Sequence, residues 1–265
     1  AIQHFNHLEK NTLNINKNPF INNNKGGLGF SAEMRLHNAH LRFGFQDSNI
    51  RSSVYKEGDD GISSKTTSLS YSKKGTYFDD ITLLAGSMVE RGSILDTKGN
   101  GALGFYDSNS YSNFIGMNLK KNLENNLSIK FSSTAGVTSI DDPKRSLIQS
   151  VDQIKSSSFS LSVERKNITK NDLLLFSISQ PHRVESGSMN IVIPNLADHH
   201  GNISHRVSNL DLVPADRQLD LGISYTKKFN DNLIGSVKNI TSKNMKNNSK
   251  NSINSLFMIS GSLKF

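Results

Sequence analysis

Leu219-Asp220-Leu221-Gly222-Ile223-Ser224-Tyr225-Thr226 puts Leu, Leu, Ile and Tyr on one side of an extended chain and Asp, Gly, Ser and Thr on the other. Side chains two apart share a face in a strand and not in a helix, so this stretch reads as a β-strand with one apolar and one small polar face. The period recurs in Phe159-Ser160-Leu161-Ser162-Val163-Glu164 and in Leu127-Ser128-Ile129-Lys130-Phe131-Ser132. It also closes the chain, with Phe257, Ile259, Gly261, Leu263 and Phe265 against Met258, Ser260, Ser262 and Lys264. Working outward, the alternation predicts roughly twelve strands. They fall near 13–22, 27–36, 40–47, 65–73, 76–90, 110–121, 126–139, 154–166, 171–183, 217–229, 232–243 and 252–265. From Leu233 to Ile240 the phase of the alternation is ambiguous.

The connections carry a second signal. Tight ones, at His37-Asn38-Ala39, Lys73-Lys74-Gly75, 122–125, 167–171 and Asn230-Asp231, alternate with long polar ones near 48–64, 91–109, 140–153, 184–216 and 244–251. Short turns on one side and long loops on the other are the pattern of an outer-membrane barrel, and a soluble sandwich has no reason to segregate loop length. The expected fold is therefore all-β: one antiparallel transmembrane β-barrel of about twelve strands over residues 1–265, with both termini on the periplasmic side. Residues 1–12 read as a leader or linker from an upstream passenger. The five Pro residues, at 19, 143, 181, 194 and 214, are expected in loops or at strand ends, where no ladder hydrogen bond is lost.

Composition is consistent with this and removes several classes. The 265 residues hold 31 Lys+Arg against 23 Asp+Glu, a net charge of +8, and only 35% are apolar. Such a content suggests disorder, but twelve strands of about 10 residues need only about 60 lipid-facing apolar positions. No apolar run approaches the roughly 20 residues of a membrane helix. The chain has no Cys, which excludes disulfides, thiolate metal sites and thiol catalysis. Its Lys and Arg are scattered instead of clustered with stacking aromatics, so nucleic acid is not an expected partner. Pairs beside the tight turns, such as Lys73-Lys74, Lys120-Lys121 and Lys227-Lys228, suit anionic lipid headgroups.

A longer stretch resembles a known family. Ser179-Gln180-Pro181-His182-Arg183-Val184-Glu185-Ser186-Gly187 runs through alternating apolar residues to Pro194, and Leu212-Val213-Pro214-Ala215-Asp216-Arg217-Gln218-Leu219-Asp220 follows after a variable loop. With Gly101-Ala102-Leu103-Gly104-Phe105 upstream, this resembles the C-terminal β-domain of autotransporter-like, subtilisin-type (S8) serine peptidases of Gram-negative bacteria, over roughly residues 90–265. The chain departs from that family in being rich in Lys and Asn. The terminal Phe, with Phe257, Ile259 and Leu263 at alternate positions before it, resembles the assembly signal of outer-membrane proteins. The resemblance implies a bacterial outer-membrane location and a translocator or anchor barrel with no catalytic activity of its own. Implied partners are outer-membrane lipid and lipopolysaccharide, the outer-membrane assembly machinery and a covalently linked N-terminal protease passenger. The alternatives are a free-standing outer-membrane porin or adhesion-scaffold barrel, and a soluble β-sandwich binding domain.

No catalytic, cofactor or metal site is expected. Asp59-Asp60, Asp141-Asp142 and Asp198-His199-His200 fall in predicted loops, and Ser204, His205 and Asn209 offer the residue types of a lipase site without its longer motif. His199 and His200 are adjacent, so in an extended segment they point to opposite sides and chelate poorly. The site expected here is structural. Arg183, Glu185, Arg217 and Asp220 are read as a charge network near the external mouth that fixes the 184–216 hairpin against the wall. Lys130, with Glu33 and Arg35 on adjoining faces, is read as lining a polar interior.

Overall fold

A computed structural model of the chain describes residues 19–22, 28–50, 62–97, 99, 101–105, 108–141, 143, 146–197, 199–247 and 253–263. These hold one short helix, α1 (Pro19–Asn22), and the strands β1 (Leu28–Leu36), β2 (Ala39–Ile50), β3 (Ile62–Lys73), β4 (Asp80–Arg91), β5 (Asn109–Asn122), β6 (Leu127–Ile140) and β7 (Ile148–Val151). The chain continues through β8 (Ile154–Lys166), β9 (Asp172–Ser186), β10 (Ser188–Ala197), β11 (Ile203–Asp211), β12 (Leu219–Lys228), β13 (Leu233–Lys243) and β14 (Asn254–Leu263). Eleven strands form one sheet in the order β1-β2-β3-β4-β5-β6-β8-β9-β12-β13-β14, and β11-β10-β7 form a second. Every neighbouring pair in both sheets is antiparallel. The all-β, antiparallel reading holds.

The register aligns the alternations into continuous rows. Phe43, Leu69, Ala85, Ile115 and Ala135 stand opposite one another across β2 to β6, and Phe131, Leu161, Ile178 and Leu221 across β6, β8, β9 and β12. The residues between them are mostly Ser, Thr, Gly or charged. The apolar face is the exposed one: Ile115 is 66% exposed and Leu221 55%, while Ser112 on the other face is 0% exposed and Ser224 1%. A soluble sheet buries its apolar face, because each large apolar side chain removed from water contributes about 1.5–3 kcal/mol. This sheet does the reverse from β3 to β12, and its edge strands β1 and β14 are exposed on both faces. In β13 the ambiguous phase resolves with Leu233, Gly235 and Val237 on the apolar side, opposite Leu263, Gly261 and Ile259 of β14.

Short connections, at 37–38, 74–79, 123–126, 167–171 and 229–232, lie at one end of the large sheet, and the long ones lie at the other. Asn supplies the backbone conformation that the turns need. Asn125 and Asn126 both have φ of 59°, and Leu127 N donates to Glu124 O at 3.3 Å. This is the mirror-image turn whose twist matches paired strands, and Asn tolerates it better than other non-Gly residues. Asn126→Gly is expected to keep the urea midpoint of unfolding, and Asn126→Val to lower stability by about 1–2 kcal/mol. Equal midpoints for the two would show that the turn does not constrain the register.

Several expectations need correction. The segment 13–22 is not a strand at its described end: Pro19 opens a helical turn, where its missing N–H costs nothing. Residues 13–18 and 1–12 lie outside the described residues. The long connections near 140–153 and 184–216 are not plain loops, since they contain β7, β10 and β11. Pro181 and Pro194 lie within β9 and β10, each at a shift of register, the place in a strand where Pro is tolerated. The large sheet has eleven strands and is not closed on itself among the described residues. Ten antiparallel steps make β1 and β14 parallel, so Leu28 begins at the long-connection end and Leu263 finishes at the turn end. The sheet's own ends therefore do not share one rim, against the expectation for the termini; Ala1 and Phe265 lie outside the described residues.

Candidate functional site

The polar face of the sheet encloses a small apolar plug. Phe20 of α1 is 1% exposed, and its ring stacks on Phe114 of β5 at 4.9 Å and meets His182 of β9 edge-on at 5.1 Å. β5 and β9 are three strand spacings apart, roughly 14 Å in a flat sheet. One phenyl ring reaches both only because the sheet curves round it. Glycine makes the room: a Cβ on Gly136 would come within 2.2 Å of the Phe20 ring, and one on Gly86 within 2.4 Å of the Phe114 ring. Met88 is buried in the same cluster, with Leu84, Ile21 and Leu95 against it.

Leu95 also belongs to a second cluster at the long-connection end, formed by Ile94, Phe105, Ile148 and Ile154. Phe105 belongs to the Gly101–Phe105 element, and Val184 and Met189 pack on the same group. The connection at 92–97 is held down by Glu90. This carboxylate is 3% exposed and accepts from Leu95 N at 2.8 Å, Asp96 N at 2.9 Å, Ser93 Oγ at 3.2 Å and Ser110 Oγ at 3.3 Å. The two clusters thus cover the concave face from mid-height to the long-connection end. At the turn end a hollow of about 890 Å3 opens between β1 and β5, lined by His40, Ser72, Lys74, Asp79 and Lys120 among others.

Further polar pairs line the concave face. Lys130 Nζ donates to Glu164 Oε1 at 2.6 Å, and both side chains are mostly buried. Glu33 accepts from Arg42 Nη2 at 2.7 Å and lies 2.9 Å from His40 Nδ1.

The four residues read as a charge network, and Lys130, are distributed over both faces. Arg183 Nη1 donates to Glu185 Oε2 at 2.6 Å, and Arg217 Nη2 to the same oxygen at 2.9 Å. Ser157 Oγ donates to Glu185 Oε1 at 2.6 Å, and Arg217 Nη1 to Gln180 Oε1. Arg183 also donates to Pro214 O at 2.7 Å and Asp216 O at 3.2 Å, so it fastens the connection from β11 to β12 onto the sheet. Ser157 lies in the apolar row after Ala135, which places this cluster on the exposed face at the long-connection end, not in the interior. A one-residue shift of pairing between Ser157 and Phe159 causes this: it turns Arg183 to the side opposite the one plain alternation gives. Asp220 pairs with Ser179 on the concave face and accepts from Gln218 Nε2 at 2.8 Å, away from the arginines. Lys130 is on the concave face as well. The sequence reading missed Gln180, Ser157 and Glu164; only a count of the bulge would have pointed to the first two.

The chemical candidates do not converge. Asp141 accepts from Tyr111 OH at 3.2 Å and Asn109 Nδ2 at 3.4 Å, while Asp59, Asp60, Asp142 and Asp198 lie outside the described residues. Ser204 bonds the backbone of Leu196 and alternates with His205 and Asn209 along β11, so it faces the other way. Among the described residues no three His, Asp or Glu side chains gather as a metal site would require. Phe257, Ile259 and Leu263 share the apolar face of the edge strand β14; Phe265 lies outside the described residues. No helix of the described residues is long and apolar enough to cross a membrane, which says nothing of spanning by strands. Against known protein families, curated proteins and solved structures, the chain matches none.

Proposed function

We propose that the chain is a bacterial outer-membrane β-barrel domain of about twelve strands that anchors an N-terminal passenger, with an interior blocked by its own α1 segment and no catalytic activity. The observation that carries the reading is the inverted sheet, largely apolar where it is exposed and largely polar where it is buried from β3 to β12. In water that arrangement forfeits most of the hydrophobic stabilisation the chain could have; in a bilayer it is the stable one. The segregation of short and long connections supports it, as does the resemblance of residues 90–265 to the β-domain of S8 autotransporter-type peptidases. Closure of the barrel requires one more strand between β1 and β14, antiparallel to both, and this position is where a twelfth strand belongs.

The plug favours an anchor over a free-standing porin, which needs a clear, hydrated interior. Lipid and lipopolysaccharide would cover the apolar face, and the alternate apolar residues of β14 suit recognition by the assembly machinery.

The chain lacks Trp, so a single introduced Trp reports alone. Met117 and Asn118 are neighbours at one height but face opposite sides. In vesicles of lipid brominated along the acyl chains, Met117→Trp is expected to lose most of its emission and Asn118→Trp to keep it. Equal emission from the two would overturn the membrane reading.

A further inference from the structure

The apolar face is not uniform. Two adjoining hollows of about 600 and 610 Å3 lie on it and share Ala85, Ile115 and Ala135. They form because the rows crossing β4, β6 and β8 carry small residues, Ala85, Ser133, Ala135 and Ser157, between large ones such as Leu83, Met117 and Val137. Missing methylenes on neighbouring strands leave a trough that a flexible hydrocarbon chain fills and a rigid partner surface does not.

The trough is apolar along its length and polar at one end. There it is lined by Lys155, Ser157 and Glu185, and Arg217 lies 2.9 Å from Glu185. Lys155 is exposed and makes no ion pair among the described residues. At this rim Lys155, Arg183 and Arg217 stand against Glu185 and, beside Arg183, Asp216. Glu185 is already shared between two guanidinium groups, which leaves Lys155 and the exposed side of Arg217 to meet further negative charge.

From this geometry we infer a lipid site: an anionic, phosphate-bearing lipid lays an acyl chain in the trough over Ala85 and Ala135 and sets its phosphate against Lys155 and Arg217. The inference rests on the membrane reading above and goes beyond it by naming where one lipid is held and by which groups. Charge complementarity selects this occupant. A protein strand or helix would leave the basic rim unmatched unless it carried acids, and a zwitterionic lipid would bring a cation toward Lys155.

The test uses the full chain in vesicles of neutral phosphatidylcholine, with Met117→Trp as the reporter at the side of the trough. A trace of phosphatidylglycerol brominated on its chains is compared with the same trace of brominated phosphatidylcholine. Quenching is expected to favour phosphatidylglycerol by about fivefold for each basic residue engaged. Lys155→Gln is expected to remove about fivefold of that preference, and Ala135→Phe, which fills the trough, is expected to abolish it. Lys238→Gln, opposite Ser224 on the concave face and away from the trough, serves as the control and is expected to change nothing. Insertion with equal quenching by the two lipids, or a preference that survives both Lys155→Gln and Ala135→Phe, would overturn the site and leave the membrane reading standing. If the Met117 reporter is quenched by neither lipid even at high bromine content, the membrane reading fails and the site with it.

Discussion

On the membrane reading the unaltered chain is expected to be silent in a planar bilayer, and Phe20→Ala is expected to conduct in stable steps. Phe20 joins β5 and β9 across the concave face, and its ring fills space that Gly86 and Gly136 leave open. Truncation to Ala removes the stack on Phe114 and the edge contact with His182, leaving α1 without an anchor. Loss of a buried phenyl ring costs roughly 3–5 kcal/mol, more than one helical turn recovers by itself, so the segment should leave the interior. The residues then lining the space, such as Ser112, Thr134 and Thr138, hold water readily. Gly136→Ala should reach the same result by another route, because its methyl group would lie within 2.2 Å of the ring and expel it. Gly261→Ala, with nothing within 4 Å of the added carbon, is the control and should stay silent. If the first two variants remain as silent as the control while staying folded, the seal is the Ile94–Phe105–Ile148 cluster and not Phe20.

What the sequence made legible and what it did not have one physical origin. The strands of the large sheet were readable because a strand with one apolar and one polar face repeats every two residues, and that repeat survives a low apolar content: Leu219 to Thr226 shows it plainly. The interior was not readable. Pro19-Phe20-Ile21 looks like the end of an alternating segment, and nothing local says that Phe20 finds its partners more than 90 residues away, at Phe114 and His182. β10 and β11 were hidden because they form a small second sheet with neither face in the large sheet's apolar rows, and Pro194 interrupts the pattern at a register shift. The charge cluster was half legible. The arginines and Glu185 do meet, but the assignment of their face depended on parity, and a single unmatched residue reverses parity for everything after it. Asp220 lies inside β12, whereas Arg217 precedes it in the connection from β11, so strand alternation does not bring the two together.

That face assignment leads to the other large effect. Arg183→Ala is expected to destabilise the protein by roughly 3 kcal/mol and to open the connection at 212–218 to protease, while Asp220→Asn changes neither. The Arg183 side chain is 9% exposed and donates to Glu185 and to the carbonyl oxygens of Val184, Pro214 and Asp216. Its removal leaves three acceptors short of a donor and leaves Glu185 with Arg217 and Ser157 alone. The connection keeps Arg217's bonds to Gln180 and Glu185 of β9, and Gln218 N still donates to Asn247 Oδ1 at 2.8 Å at its far end, but the carbonyls of Pro214 and Asp216 lose their tie to the sheet. Arg183→Lys should recover only part of the loss, because one ammonium cannot reach a carboxylate and two separated carbonyls as a planar fork does. The measurements are the urea midpoint in detergent and the rate of cleavage within 212–218. Should Asp220→Asn prove as damaging as Arg183→Ala, the two residues belong to one network after all, and the pairing shift between Ser157 and Phe159 does not reverse the face.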